Sequence, residues 1–291
     1  MDMTLLKVIV LAIVQGLAEL LPVSSSAHVV VAEKLMGLDP SSPPMTLLLV
    51  MLHTGTMFAV IIYFWREWRA LYFQSGAAFR TFVWLVVVAT FFTGVIGEGI
   101  VKVIERTVFR DVPHAQIEDL FSHLELIAPA LAAAGILIVI AGLREKRRAA
   151  AQGASSQELD TRRAGLIGAV QGLCLPFRGF SRSGATISAG MLLGVAKARA
   201  EVFSFALAVV LTPPVVVREV LRLRDAAHAG GSEGLGPVAL LTLLGAGVAL
   251  LAGLLALRWL SRWLESGRWY WFGIYCLAAA AAVALLHHAG Y

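Results

Sequence analysis

The stretch at positions 15–28 reads QGLAELLPVSSSAH, and a similar stretch, QGLCLPFRGFSRSGAT, occupies positions 171–186. Each begins with Gln-Gly-Leu, passes through Pro or Gly, and ends in a cluster of serines followed by small residues. Breaks of this kind at corresponding positions in two halves of an apolar chain are typical of a binding site built from broken membrane helices. The pair therefore predicts both the fold and the place where function resides.

The composition predicts a polytopic membrane protein rather than a soluble helical bundle. Hydrophobic residues make up 58% of the chain and charged residues 15%, and the mean hydropathy is +0.79. Apolar segments long enough to cross a hydrocarbon layer of ~30 Å recur along the sequence. The net charge of +5 fits basic cytoplasmic loops better than nucleic-acid binding. Cys174 and Cys276 lie in apolar segments without the spacing of metal ligands.

We predict an all-α fold with six transmembrane helices plus two re-entrant helical hairpins, in a single integral membrane domain over 1–291. The hairpins are 4–37 and 164–195, each broken near its middle by Pro, Gly and Ser. Non-helical backbone at membrane depth is tolerated only where protein or a water-filled cavity surrounds it, so the breaks should face inward. The expected spans are 45–65, 79–100, 125–143, 200–221, 237–258 and 269–287.

The basic residues predict the orientation of these segments. The connection 144–163 is the most basic in the chain and is predicted to be a cytoplasmic linker. Both termini then lie on the outer side of the membrane, together with the loops 38–44, 101–124 and 222–236. The two hairpins enter from opposite sides, so that 1–143 and 164–291 form an inverted-topology repeat whose tips meet inside the membrane.

The first tip carries a carboxylate among hydroxyl groups. Glu19 lies four residues after Gln15, which places both on one face of a helix. A carboxylate at membrane depth costs about 2.5–3.5 kcal/mol, so Glu19 needs a partner or a polar cavity. The other candidate site residues of this tip follow Pro22 and are Ser24, Ser25, Ser26 and His28.

The second tip has the features of an anion site. The segment from Gly179 is predicted to open a helix, where backbone N–H groups and the helix dipole favour an anion. Arg182 adds a planar fork of donors suited to phosphate oxygens, and Arg178 brings a second cation. Hydroxyl donors at this tip are Ser181, Ser183 and Thr186.

With these motifs the chain resembles the undecaprenyl-diphosphate phosphatase family, the bacitracin-resistance membrane phosphatases, over almost its whole length. The family's first motif matches Gln15, Glu19 and the Leu-Pro-Val-Ser-Ser run that ends at Ser25, followed by His28. Its second motif matches Gly179 through Thr186. The chain departs from the family pattern at Gln15, where many members have a second acid, at Ala27 in place of Gly, and at Arg178 in place of Pro.

The resemblance implies hydrolysis of a polyprenyl diphosphate to the monophosphate, which recycles the lipid carrier of cell-wall synthesis. We assign Ser25 as nucleophile, His28 as acid/base and Glu19 as the group that orients or deprotonates; His28 as phosphoryl acceptor remains an alternative. Arg182 would stabilise charge on the transferring phosphoryl group. The family also implies a divalent cation such as Mg²⁺ or Ca²⁺, which the residues do not fix, and a homodimer is left open.

Two other functions fit the same architecture. Inverted repeats with broken helices are also transporter architecture, so a polyprenyl-phosphate flippase that uses the Arg182 site without chemistry is the main alternative. A lipid-binding scaffold without turnover leaves the conjunction of Ser25, His28 and Glu19 unexplained. His53, at the start of the next span, is interpreted as a hydrogen-bonded structural histidine rather than a cavity residue.

Overall fold

The computed structural model describes residues 4–39, 42–107, 124–152, 158–226 and 235–289. In these ranges the chain folds into α-helices, which confirms the predicted all-α class. They are α1 (Leu5–Leu20), α2 (Ser25–Leu35), α3 (Pro43–Tyr72), α4 (Gly76–Thr107), α5 (Leu124–Gln152), α6 (Thr161–Cys174), α7 (Arg182–Leu192), α8 (Lys197–Ala226), α9 (Leu235–Glu265) and α10 (Trp269–His288).

Five of these helices, α3, α4, α5, α9 and α10, are long and apolar enough to cross a membrane. Many large apolar side chains on them face outward, among them Leu240, Leu251 and Phe91, as expected for helices against hydrocarbon. The chain is therefore a multi-pass membrane protein. The remaining expected span, 200–221, lies within α8, which is not among the five. That crossing, and the re-entrant course of the two hairpins, stay predictions.

Both helical breaks lie where the sequence predicts them. Helix α1 ends before Pro22, and α2 starts after Ser24, the one described non-glycine residue with a positive φ, 68°. The second break separates α6 from α7 and includes Gly179, whose φ is 101°. A Cβ atom at Gly179 would also lie 2.5 Å from the carbonyl oxygen of Ile127. Glycine is thus required here both by its conformation and by the approach of α5.

Close helix contacts through small residues position the first break. Helix α9 packs against both α1 and α3. A Cβ atom on Gly16 would lie 2.7 Å from the carbonyl oxygen of Ala249, and one on Gly55 would collide with the carbonyl oxygen of Ala246. Backbones can approach this closely only where side chains are absent. Helix α9 therefore fixes α1 and α3 relative to each other.

The second broken pair is held in a related way by α4. Helix α6 packs on α4, where a Cβ atom on Gly168 would collide with the carbonyl oxygen of Ala89. In each half of the chain, the helix before the break thus packs through glycine on a long helix of the other half. This exchange fits the predicted repeat of 1–143 and 164–291, which itself remains a prediction.

The basic connection is more helical than its composition suggests. Helix α5 continues through 144–148 and ends at Gln152, because Arg, Lys, Glu and Ala are strong helix formers. The guanidinium of Arg148 donates to the carbonyl oxygen of Met191 at 3.3 Å, and that of Arg163 to Leu193 at 3.2 Å. Two arginines of the connection therefore satisfy carbonyl groups at the C-terminal end of α7.

Candidate active site

The two breaks meet, as the sequence analysis expects. The backbone N–H of Gly179 donates to Ser26 Oγ at 3.3 Å, and Ser183 Oγ donates to the carbonyl oxygen of Leu21 at 3.3 Å. A cavity of about 230 Å³ lies at this junction. Its lining comes from both breaks and comprises Ala18, Glu19, Ser24, Ser25, Ser26, Cys174, Leu175, Phe177, Arg178, Phe180, Ser181, Arg182 and Ser183.

Glu19, near the end of α1, is the centre of the polar network. Its Oε2 atom accepts from Ser25 Oγ at 2.5 Å and from Gln15 Nε2 at 3.1 Å. Its Oε1 atom accepts from Arg182 Nη2 at 2.7 Å. The Glu19 side chain is only 13% exposed, so these contacts supply the partners that a carboxylate needs in a low-dielectric setting. One carboxylate thus joins the serine of the first tip to the arginine of the second.

The N-termini of α2 and α7 both face this junction. Ser25 is the first residue of α2, and the preceding Ser24 makes no side-chain cap, so its hydroxyl is available to Ser26 Oγ at 3.2 Å. Arg182 is the first residue of α7, and Ser181 caps that helix by accepting from the N–H of Gly184 at 3.2 Å. Two helix starts aimed at one cavity create a region suited to an anion.

His28 lies outside the cavity lining and is held by two partners. Its Nδ1 atom lies 2.8 Å from the carbonyl oxygen of Ser24, and its Nε2 atom lies 2.7 Å from the hydroxyl oxygen of Tyr275 on α10. The two rings also stack, with centroids 5.7 Å apart. Among the described residues, His28 makes no hydrogen bond to Ser25. The structure therefore places His28 against the strained Ser24 backbone rather than against the expected nucleophile.

Tyr275 is a contact that the sequence analysis missed, since a tyrosine in an apolar span carries no local signal. The neighbouring Cys276 donates its thiol to the carbonyl oxygen of Pro22 at 3.3 Å. Helix α10 therefore supports the first break at two adjacent positions, one through His28 and one directly.

His53, on α3, comes closer to the network than the sequence analysis expects. Its Nδ1 atom lies 2.8 Å from the carbonyl oxygen of Leu49, which is the structural contact foreseen for it. Its Nε2 atom, however, faces Glu19 Oε2 at 3.8 Å. The only hint in the sequence is that His53 stands two residues before Gly55, which lets α3 approach α9.

Besides His28, three of the predicted site residues lie behind the cavity rather than in its lining. Thr186 is fully buried, and its hydroxyl contacts Ser204 Oγ at 2.5 Å and the carbonyl oxygen of Arg182 at 2.8 Å. Gln15 is buried and reaches the cavity only through Glu19, and Gly179 shapes the turn. Gln171, the counterpart of Gln15, instead donates to Thr93 Oγ1 at 3.0 Å on α4.

One side of the cavity is apolar and was not foreseen as part of the site. Leu175 and Phe177 line it and remain 49% and 42% exposed, and Ala18 and Phe180 complete the apolar lining. An anion-binding cavity that opens beside exposed apolar side chains suits an amphiphile with an anionic head and a lipid tail.

The donor set does not form a metal site by itself. In the described ranges, no group of three His, Cys, Asp or Glu side chains could hold a metal ion. The one carboxylate in the lining, Glu19, already accepts hydrogen bonds from Arg182, Ser25 and Gln15. These residues therefore do not fit a resident cation, and the chemistry of the site is assigned to the chain's own side chains.

The chain is similar to known proteins over nearly its whole length. The model of the family described as bacitracin resistance protein BacA matches residues 8–282. "Undecaprenyl-diphosphatase 2" of Acinetobacter baylyi is 55% identical over 289 residues, which cover 98% of each chain. "Undecaprenyl-diphosphatase" of Rhodopirellula baltica is 32% identical, covering 97% of this chain and 98% of the relative. A protein of the same name in Desulfatibacillum aliphaticivorans is 34% identical, covering 96% and 97%.

These matches extend over both breaks, and so over Glu19, Ser25 and Arg182, and they agree with the resemblance carried by the two motifs. The chain thus combines a site built from two broken helix pairs with similarity to known proteins over nearly its whole length. It belongs to the BacA family.

Proposed function

We propose that the chain hydrolyses undecaprenyl diphosphate to undecaprenyl monophosphate and phosphate, recycling the lipid carrier of cell-wall synthesis and so conferring bacitracin resistance. Relatives that cover nearly the whole chain bear the name of this activity. The observation that carries the proposal is Glu19, which accepts from Ser25 on one oxygen and from Arg182 on the other. A nucleophile, a base and a phosphate-binding cation are thereby held at one cavity.

In the first chemical step, Ser25 Oγ attacks the terminal phosphorus of the diphosphate. A bond forms between Oγ and phosphorus, and the bond from phosphorus to the bridging oxygen breaks, so that the polyprenyl monophosphate leaves with the electron pair. Glu19 Oε2, 2.5 Å from Oγ, accepts the serine proton. A serine hydroxyl is a weak nucleophile until such a base activates it.

Arg182 and the two helix starts bind the phosphoryl group. A guanidinium presents five N–H donors, and the contact to Glu19 occupies Nη2, so the rest of the fork is left for phosphate oxygens. The N-termini of α2 and α7 add their dipoles. Charge that develops in the transition state is thus met by donors that are already in position.

In the second step, water attacks the phosphoserine and restores Ser25. The water oxygen bonds to phosphorus, the bond between phosphorus and Oγ breaks, and inorganic phosphate leaves. Glu19, a free carboxylate again once it has released the serine proton, takes a proton from the water and passes that proton to Oγ, so the carboxylate ends as it began. Each half of the reaction therefore uses the same base.

Ser25 is favoured over His28 as the phosphoryl acceptor. Both ring nitrogens of His28 already have partners, Ser24 and Tyr275, whereas Ser25 lines the cavity beside Glu19. We assign His28 the task of holding the Ser24 backbone, and with it the start of α2. No contact in the site favours a flippase over this chemistry.

The setting of the reaction is part of the same proposal. The hairpins α1–α2 and α6–α7 are re-entrant and open from opposite sides of a bacterial inner membrane, with both termini on the outer side. Any Mg²⁺ or Ca²⁺ is held largely by the diphosphate, since the described cavity lining offers one carboxylate, Glu19. The apolar lining at Leu175 and Phe177 takes the first units of the prenyl tail.

The test is phosphate release by Ser25→Ala in detergent. We expect release to fall by at least about 100-fold, as for loss of an activated nucleophile. Binding of the lipid diphosphate should stay within a few-fold, because Arg182 supplies most of the anion affinity. Ser261→Ala is the matched control, since Ser261 Oγ donates to another buried carboxylate, Glu201, at 2.7 Å; it should release phosphate at the wild-type rate.

Near wild-type turnover in Ser25→Ala would refute the serine mechanism. Trapping of a stable phosphohistidine in that variant would transfer the nucleophile to His28. Wild-type protein that moves the lipid between leaflets but releases no phosphate would instead support the flippase.

A further inference from the structure

We infer that His53 is the terminal acceptor of the proton that Ser25 releases, with Glu19 as the relay between them. The inference rests on the proposed function and extends it to a residue on a third helix. Ser25 Oγ and His53 Nε2 face the same carboxylate oxygen, Glu19 Oε2, at 2.5 and 3.8 Å. Serine, carboxylate and imidazole thus form a continuous path that leads away from the cavity.

The hydrogen bonds of His53 leave the nitrogen that faces Glu19 able to accept. A carbonyl oxygen can only accept, so the contact with Leu49 assigns the hydrogen of the neutral ring to Nδ1. Nε2 then carries the lone pair. In the described part of the chain, Nε2 makes no hydrogen bond, and its one ion-pair contact is with Glu19.

His28 has a different hydrogen-bonding pattern. Its Nδ1 atom is fixed as donor by the carbonyl oxygen of Ser24, and its Nε2 lone pair accepts from the Tyr275 hydroxyl. His28 therefore has no free lone pair directed at Glu19 or Ser25. Of the two histidines near the first break, His53 is the one arranged to take a proton from the carboxylate.

His53 lies closer to the surface of the protein than Glu19 does. Its side chain is 43% exposed, whereas that of Glu19 is 13% exposed, so the path from Ser25 leads outward. The distance of 3.8 Å between His53 Nε2 and Glu19 Oε2 falls to that of a hydrogen bond after a shift of about 1 Å, which allows proton transfer.

Charged neighbours of His53 are few in the part of the chain that the structure describes. Glu19 of α1 faces it, and Arg182 of α7 lies on the other oxygen of that carboxylate. On α9, the residues that meet α3 at this level are Gly245 and Ala246. The part of α8 from 202 to 214 contains no ionisable residue. Among these groups, Glu19 is therefore the ionisable group that faces His53 directly.

The proton balance closes with His53 in this position. Attack by Ser25 moves its proton to Glu19 and on to His53 Nε2, and the imidazolium then releases it to water. Glu19 is a free carboxylate again before water attacks the phosphoserine. One proton leaves per turnover, which is the proton that splitting a diphosphate with water produces near neutral pH.

The experiment compares His53→Gln with the wild type from pH 5 to 8, the range in which histidines titrate. Wild-type kcat should rise with pH across this range. In His53→Gln, kcat at pH 7.5 should fall about 10- to 100-fold, because Glu19 still accepts the proton but cannot pass it on. The rise contributed by His53 should disappear, while KM stays within about twofold because His53 does not line the cavity.

Thr54→Ala is the matched control for the helix. Thr54 Oγ1 donates to the carbonyl oxygen of Val50 at 2.8 Å, a local contact like that of His53 with Leu49, but it takes no part in the network. Its kcat and pH profile should match the wild type.

His53→Gln with wild-type kcat, or with lowered kcat and an unchanged pH profile, would overturn the inference. So would a wild-type kcat that is constant from pH 5 to 8, which needs no variant to fold. Each of these results is compatible with phosphate release by the wild type, so it contradicts only the role of His53. Absence of phosphate release by the wild type would contradict the proposed function itself.

Discussion

Individual side chains at this site contact several partners. Glu19 has two carboxylate oxygens, and the described contacts place Arg182 on one and Ser25, Gln15 and His53 on the other. A substitution of any one partner therefore changes the contacts that Glu19 makes with the others. We expect substitutions in this network to be strongly non-additive, as for residues that act as a unit.

Arg182 is the partner whose chemistry is hardest to replace. Arg182→Ala should lower kcat/KM by at least about 100-fold, as when a donor to developing charge is removed. Arg182→Lys should recover little, because an ammonium cannot hold Glu19 and several phosphate oxygens with one planar fork. The measurement is phosphate release from the lipid diphosphate at saturating and subsaturating substrate. Full activity of the lysine variant would contradict the role of the fork.

The sequence predicts the chemical types of the site residues better than their contacts. Glu19, Ser25 and Arg182 can be picked out because polar residues are costly inside a membrane segment. The contact between Glu19 and Ser25 is local, but that between Glu19 and Arg182 depends on the meeting of chain segments 163 residues apart. The positions of His28, His53 and Thr186 follow from the tilt and register of helices, which no local pattern encodes. The contact of Tyr275 with His28 cannot be predicted from the sequence for the same reason.

At the level of helices, glycine contacts determine how accurately the network is assembled. Gly16 and Gly55 both abut α9, and they stand one and two residues from Gln15 and His53. A side chain on either glycine would move a whole helix rather than one side chain. The separation between Glu19 and His53 is therefore set by backbone packing.

Gly55→Ala tests this packing. Its Cβ atom would collide with the carbonyl oxygen of Ala246, so α3 has to move away from α9. Overpacking of this kind costs about 1–3 kcal/mol, and we expect a lower thermal midpoint in detergent together with a lower kcat. Gly247→Ala on α9 is the control, since a Cβ atom there meets nothing within 4 Å. That variant should be as stable as the wild type or slightly more; an equal loss in both would exclude the packing argument.

The helices themselves are largely predictable from apolar length and from Pro, Gly and Ser at the breaks. Both breaks lie where Pro22 and Gly179 indicate, because these residues limit the backbone in known ways. The ends are less predictable. The basic run at 144–148 suggests a loop by charge, yet it belongs to α5 because its residues favour helix and because Arg148 finds a carbonyl group at the end of α7.

For the whole molecule, the arrangement relative to the membrane is the principal prediction. The positive residues predict a cytoplasmic location for 144–163 and an outer location for the loop 38–44. A cysteine introduced at the exposed Arg147 should react with an impermeant thiol reagent only after the membrane is opened, and one at the exposed Asp39 should react in intact cells. The unsubstituted chain, with Cys174 and Cys276, gives the background. Labelling of the Arg147 position from outside would overturn the inverted-repeat topology. Ser155, in the same predicted linker, is another position for this labelling test, and it lies outside the described ranges.

The contact between Arg182 and Glu19 has a consequence for the order of events in a catalytic cycle. The chain supplies an anion of its own to the arginine, so every ligand must share the guanidinium with Glu19. In the proposed cycle, a diphosphate binds well to the remaining N–H donors because it has more charge and more oxygens than a monophosphate. Once the terminal phosphoryl group has been transferred, the lipid monophosphate contacts fewer of these donors, while the contact with Glu19 persists. The carboxylate proposed to activate the serine would thus also weaken the binding of the product relative to the substrate.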